Sequence, residues 1–254
     1  MTPEQVVKIA LDIGESMLKC GAETVRVEDT ITRICTAYYP GRLDVTSYFN
    51  AIFVSLDPNI SEKSDYPVVT QHRRVLSIAI NLTALEELNT LSRFICSSKP
   101  TFSESRLRLN KIVNLTPSLR KLLIGYTLSA AAFCIFFGGT LLDALLCGVI
   151  GLILFILEHL LSKRMNIQII HTFVLSFVCG LLACLLHLSP LPINMDAIMI
   201  GNVMLLIPGV ALTNALRELM IGDLISGSLK LLNSLMIATT IAAGFVLSMV
   251  LIGV

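Results

Sequence analysis

The sequence predicts an α-helical membrane protein in which five transmembrane helices follow a cytoplasmic α+β domain. Charge segregation is the first ground. Residues 1–121 carry 15 of the 19 Lys and Arg and 13 of the 18 Asp and Glu, and the rest of the chain holds only Lys163, Arg164, Arg217, Lys230 and five acids. The second ground is the length of the apolar segments beyond that point, since about 20 helical residues cross a hydrocarbon core of about 30 Å. Composition is the third: 54% of residues are hydrophobic and the mean hydropathy is +0.79. A net charge of +1 gives no electrostatic footprint for nucleic acid.

In chain order, Val6, Val7, Ala10, Ile13, Met17 and Leu18 recur at helical spacing, and Gly21 stands where a left-handed cap ends that helix. A second helix is predicted over 22–38. Val27, Ile31, Ile34 and Tyr38 form its core stripe, and Glu23, Arg26, Thr30 and Arg33 a polar row. Runs rich in β-branched and aromatic residues at 43–56 and 66–75, parted by Asp57-Pro58-Asn59, read as strands. Helices over 84–96 and 103–114 then lead to the membrane. The acidic, amphipathic start lacks the basic and apolar regions of a secretory signal, which places this domain, 1–117, in the cytoplasm.

The membrane domain, 118–254, divides into spans at about 119–138, 141–161, 167–188, 196–216 and 231–254. Thr116-Pro117-Ser118 offers a cap and a first-turn proline to the first of these. Arg106, Arg108, Lys111, Arg120 and Lys121 precede the first span, Lys163-Arg164 follow the second, and Arg217 and Lys230 bracket the fourth connection. The other two connections carry no basic residue, so the positive-inside rule puts the front domain inside and the carboxyl end outside. An odd number of spans invites a second membrane element to complete the bundle.

Seven scattered cysteines lack metal or redox spacing, and no phosphate loop, GxSxG elbow or HExxH pair occurs, so no cofactor is implied. His72 reads as a solvated or packed histidine, and Glu23, Arg26, Glu28, Asp29 and Arg33 as ordinary i,i+3 and i,i+4 pairs on a solvated face. Polar groups within spans need a reason. Asp143, Glu158 and His159 sit near span ends, where snorkelling competes with proton coupling, and Asp196 reads as an outer helix cap. The fourth span is distinctive. It carries Asn202, then Pro208-Gly209, which kink or break a helix within the membrane, then Thr213, Asn214, Arg217 and Glu218 within about three turns. Broken helices at membrane depth mark either a structural kink or a transport site. Residues 219–230 are too short to span and read as an interfacial or folded-back segment that keeps Asp223 near the break.

Gly21-Ala22-Glu23 and Arg26-Val27-Glu28-Asp29-Thr30, with Pro208-Gly209, Thr213-Asn214, Arg217, Gly222-Asp223 and Ser226-Gly227, resemble the threonine/serine exporter family of bacteria over essentially the whole chain. The match is to its amino-terminal component, a cytoplasmic domain with five spans. The resemblance implies a multi-pass protein of the bacterial cell membrane, not an enzyme, acting with a second small membrane subunit. Its cargo would be threonine and serine or, as one split pair of the family is associated with, a dicarboxylate such as succinate. Its motifs mark Pro208, Gly209, Thr213, Asn214, Arg217, Gly222, Asp223 and Gly227 as transport residues, to which the reading of the fourth span adds Asn202 and Glu218, and they mark Gly21, Glu23, Arg26 and Glu28 as the cytoplasmic motif. The acids Asp143, Glu158 and Asp223 are the candidates for proton coupling. Glu218-Leu219 departs from an Arg-Asp-Leu-like triplet, and Lys230 stands near an expected arginine. An integral-membrane enzyme or sensor, resting on His72 and the Glu/Arg cluster, is the competing reading. A homo-oligomer through the front domain is compatible with either.

Overall fold

The computed structural model describes residues 1–59, 66–76, 78–115, 118–162 and 167–253. The chain forms two compact units. Met1–Thr116 with Ala211–Leu231 make one, and Pro117–Val210 with Leu232–Val254 make the other.

The first unit opens with α1 (Pro3–Lys19), started by a capping box in which Thr2 Oγ1 accepts from the Gln5 N–H and Gln5 Oε1 accepts from the Thr2 N–H. Gly21 ends it at φ +87°, with the Gly21 N–H donating to Leu18 O and the Ala22 N–H to Met17 O. That is the Schellman pattern, in which a left-handed glycine lets the chain turn back onto the last carbonyls. Helix α2 (Thr24–Tyr38) buries Val27, Ile31 and Ile34 completely against α1. Three strands follow, β1 (Arg42–Tyr48), β2 (Ala51–Asp57) and β3 (Val69–Arg74), in one antiparallel sheet of order β1-β2-β3. The run 43–56 is thus a hairpin turning at Phe49-Asn50, with Tyr48 opposite Ala51. Ile52, Val54 and Leu56 point from β2 into the core formed with α1 and α2, as strand alternation requires. Helices α3 (Leu82–Ser98) and α4 (Phe102–Val113) complete the layer.

The second unit contains α5 (Leu119–Phe136), α6 (Leu141–Leu161), α7 (Gln168–His187) and α8 (Met195–Leu206). Helix α9 (Gly209–Met220) lies almost wholly in the first unit, and α10 (Leu224–Ile252) passes from the first unit into the second at Leu231-Leu232. Small residues set the packing of the second unit. A Cβ on Gly201 of α8 would come within 2.9 Å of the Cys134 backbone nitrogen on α5, and one on Gly151 of α6 within 2.9 Å of the Ala130 Cβ. Such close backbone approach is how helices associate where lipid removes the hydrophobic incentive. Large apolar side chains such as Leu128, Leu141 and Val250 face outward, as hydrocarbon surroundings require.

Among the described residues four helices, α5, α6, α7 and α10, are long and apolar enough to cross a membrane, and α8 with α9 makes a fifth candidate if the interrupted pair is one span. Several local expectations change. The last helix begins at Leu224, seven residues before the predicted 231, because Asp223 caps it; the segment 219–230 is therefore the end of one helix and the start of another. Asn194, not Asp196, caps α8, its side chain accepting from the Ala197 N–H. The Thr116-Pro117 start of the first span and the basic pair Lys163-Arg164 lie outside the described residues.

Candidate functional site

The interruption after α8 is local and backbone-driven. Ile207 leaves helical geometry at ψ 129°, Pro208 has no N–H to offer, and α9 restarts at Gly209, whose N–H turns back to Ile207 O at 2.8 Å. A Cβ at Gly209 would meet nothing within 4 Å, so that glycine is not required by packing.

Beyond the break, α9 and the start of α10 converge on the loop between α1 and α2, all within the first unit. Glu218 is the centre. Its carboxylate is fully buried; Oε1 accepts from the Thr24 backbone N–H at 2.9 Å, from Thr24 Oγ1 at 3.1 Å and from the Lys230 ammonium. Oε2 is buried without a hydrogen-bond partner, as is Ser226 Oγ. Thr24 Oγ1 also lies 2.7 Å from Asp223 Oδ2, while Asp223 Oδ1 accepts from the Ser226 N–H and so caps α10. Gly222 at φ +95° and the Asp223 N–H donating to Glu218 O close α9 by a second Schellman turn, which aims Asp223 at Thr24. Gly227 lets α10 cross α9 closely, since a Cβ there would sit 2.9 Å from the Leu219 nitrogen.

Two further contacts tie α9 to the same loop. Asn214 Nδ2 donates to Gly21 O at 3.1 Å, and the Arg217 guanidinium pairs with Glu23. The Glu23 side chain is only 12% exposed and the Arg217 side chain 60%, so Glu23 does not belong to a solvated face. The structure thereby joins Gly21, Glu23, Asn214, Arg217, Glu218, Gly222, Asp223 and Gly227, which sequence motifs had singled out in two distant stretches. Glu28 accepts from the Ser47 N–H at 2.7 Å; burial pushes its pKa above the ordinary value, the Ser47 bond opposes this, and the nearby Asp223 charge adds to the rise. Arg26 is exposed and stands apart from this cluster, and Thr213 lies on the exposed face of α9. Motif reasoning names Ser226 and Lys230 without giving them a part in the site, and it passes over Thr24 altogether. Thr24 directly follows Glu23, but only its burial beside a carboxylate 194 positions away reveals its part.

The polar groups of the second unit are held differently. Asp143 is fully buried and forms a capping box with Thr140; its other oxygen accepts from the Asn194 N–H at 2.9 Å, so it fastens the start of α6 to the start of α8 rather than snorkelling. Glu158 faces His171 across α6 and α7 at 3.4 Å. Asn202 is buried, donating to Cys147 Sγ and to Ile198 O, each at 3.0 Å, with its Oδ1 left without a partner. His72 stacks on Phe53 in the sheet, with ring centroids 6.0 Å apart. The seven cysteines are all free, and among the described residues no group of three or more His, Cys, Asp and Glu could hold a metal.

No curated protein and no solved structure matches the chain. The profile of the ThrE family, described as "Putative threonine/serine exporter", matches residues 8–252, nearly the whole sequence. It takes in both stretches that build the Glu218 cluster. By that match the chain belongs to the threonine/serine exporter family.

Proposed function

We propose that this protein is the larger subunit of a two-component exporter for small polar carboxylates, threonine and serine or a dicarboxylate such as succinate, in the bacterial cell membrane. Family membership makes it a membrane exporter of threonine/serine type. The cargo, the partner subunit and the orientation, with the front domain cytoplasmic and the carboxyl end outside, are our reading. One observation carries it. The helix that follows the Pro208 break ends in a polar cluster holding both charge signs, with Glu23, Glu218 and Asp223 against Arg217 and Lys230.

The arrangement suits a zwitterion. Arg217 is the more exposed partner of its pair, so a cargo carboxylate can replace Glu23 on the guanidinium fork, while the acidic excess around Asp223 receives an ammonium or a proton. Asn202, with its unpartnered oxygen in α8, and Thr213 on α9 are further polar groups to which we assign a part in transport. Glu158, facing His171, and Asp223 are the proton carriers in this reading, and Asp143 serves as a cap. Without a phosphate-binding loop in the sequence, an ion gradient or downhill export drives the cycle.

The test is intracellular retention of threonine, serine and succinate in a deletion strain complemented with this chain, with and without its partner. Retention relieved only by both proteins supports the reading, and the solute retained names the cargo. Arg217→Lys keeps the charge but loses the planar fork and should impair efflux. Efflux from vesicles containing this chain alone would refute the two-component arrangement.

A further inference from the structure

A second polar feature lies in the first unit on a different face of α2. Helix spacing puts Arg26, Thr30, Arg33 and Ala37 on one stripe of α2, and Asn89, Arg93 and Cys96 on the facing stripe of α3. Between them runs a groove of about 640 Å³. Its rim carries three guanidinium groups, those of Arg26, Arg33 and Arg93, and its only acid among the lining residues is Asp29.

The three arginines are differently engaged. Arg33 pairs with Asp29 through Nε at 2.9 Å. The Arg93 Nη2 donates to Thr90 Oγ1 at 3.2 Å, a neutral partner that leaves its charge unbalanced. Arg26 makes no side-chain hydrogen bond or ion pair among the described residues, although it sits one turn from Asp29, which pairs with Arg33 instead. The groove is therefore left with a surplus of two positive charges after Asp29 is counted against three arginines. Uncharged hydrogen-bonding groups, Thr30, Asn89 and Ser92, line it beneath that rim. Arg33 also reaches toward the other wall: burial raises the Cys96 thiol pKa, and the Arg33 charge opposes that rise.

We propose that the α2–α3 groove is a binding site for a small dianion, a phosphate or a dicarboxylate, held by Arg26 and Arg93 with Arg33 closing one side. The surplus charge matches two negative charges, and guanidinium groups meet phosphate or carboxylate through paired N–H donors. The site is separate from the Glu218 cluster and does not rest on the export reading. It gives the front domain a means of sensing an anion.

Cys96 lines the groove and reports occupancy, whereas Cys20 lies outside it and serves as an internal control. The full chain in detergent is treated with a maleimide, and addition at each thiol is read by peptide mass spectrometry. Inorganic phosphate or succinate at millimolar concentration, against chloride at equal ionic strength, should slow addition at Cys96 and leave Cys20 unchanged. Isothermal titration on the same samples should show saturable binding that Arg26→Ala and Arg93→Ala each weaken about tenfold or more, as loss of a charge-assisted bond predicts. Protection by phosphate alone assigns a phosphate-bearing ligand, and protection by succinate alone assigns a dicarboxylate. No protection by either anion, equal slowing at Cys20, or protection undiminished in both arginine variants would overturn the proposal.

Discussion

Glu218 shows how much one residue can hold. Its carboxylate is fully buried, its partner Lys230 is nearly so, and the pair sits beside Thr24 with one oxygen unpartnered. Removing the carboxylate of a buried pair takes a close charge partner from the ammonium, at a cost of about 3–5 kcal/mol, whereas replacing both is far milder. Glu218→Gln should lower the thermal unfolding midpoint in detergent sharply, and Lys230→Met added to it should restore much of the loss; an unchanged midpoint in Glu218→Gln would show the pair to be solvated. Glu28 gives a pH prediction. Its pKa is raised above the ordinary 4.5, chiefly by burial, so the protonated form is favoured in the folded state. The sign follows: stability from this residue is fully present below 4.5 and is lost as pH rises through the raised value. Glu28→Gln keeps an acceptor for the Ser47 N–H and should flatten that stretch of the stability profile. A profile identical to the unmutated chain would place the titration elsewhere.

At the scale of elements, the turn from α9 into α10 sets the cluster. Its glycines differ in kind. Gly222 occupies a left-handed conformation, Gly227 admits the backbone of α9, and Gly209 does neither. Gly227→Ala should destabilise by about 1–3 kcal/mol through overpacking against Leu219. Gly209→Ala, with open space for its methyl group, should be tolerated, and thermal unfolding of the two variants side by side tests the contrast. Pro208→Ala restores a backbone donor and removes the ring that obstructs the preceding turn, so α8 and α9 should tend to join. We expect reduced efflux with normal membrane insertion. Efflux at the unmutated rate would reduce the break to a structural kink.

At the scale of the whole molecule, orientation is the main prediction. The loop near Pro190 contains no basic residue, while Lys163-Arg164 follow the second predicted span and Arg217 and Lys230 flank the turn from α9 into α10. By the positive-inside rule, a membrane-impermeant thiol reagent added outside should label a single cysteine placed near Pro190 and miss one placed near Arg164. The reverse pattern would invert the protein. The division into compact units also matters at this scale, because Ala211–Leu231 group with Met1–Thr116 rather than with the apolar helices that flank them in sequence.

Long apolar helices and amphipathic helices were legible in the sequence because hydropathy and periodicity are local: the helices α5, α6 and α7 begin and end within two residues of the predicted bounds. The Schellman end of α1 was legible too, since only glycine takes its left-handed turn cheaply. The hairpin inside 43–56 was not, for Phe49-Asn50 carries no strong turn signal and the run has β-branched and aromatic residues on both sides of it. The early start of α10 was hidden because its cap, Asp223, looked like a functional charge. Sequence alone supplied the two motif stretches and the resemblance that links them. Only tertiary structure decided that Glu23 meets Arg217 and that Thr24 meets Glu218, each 194 positions apart, because burial and ion pairing depend on which surfaces close together and no local pattern encodes that.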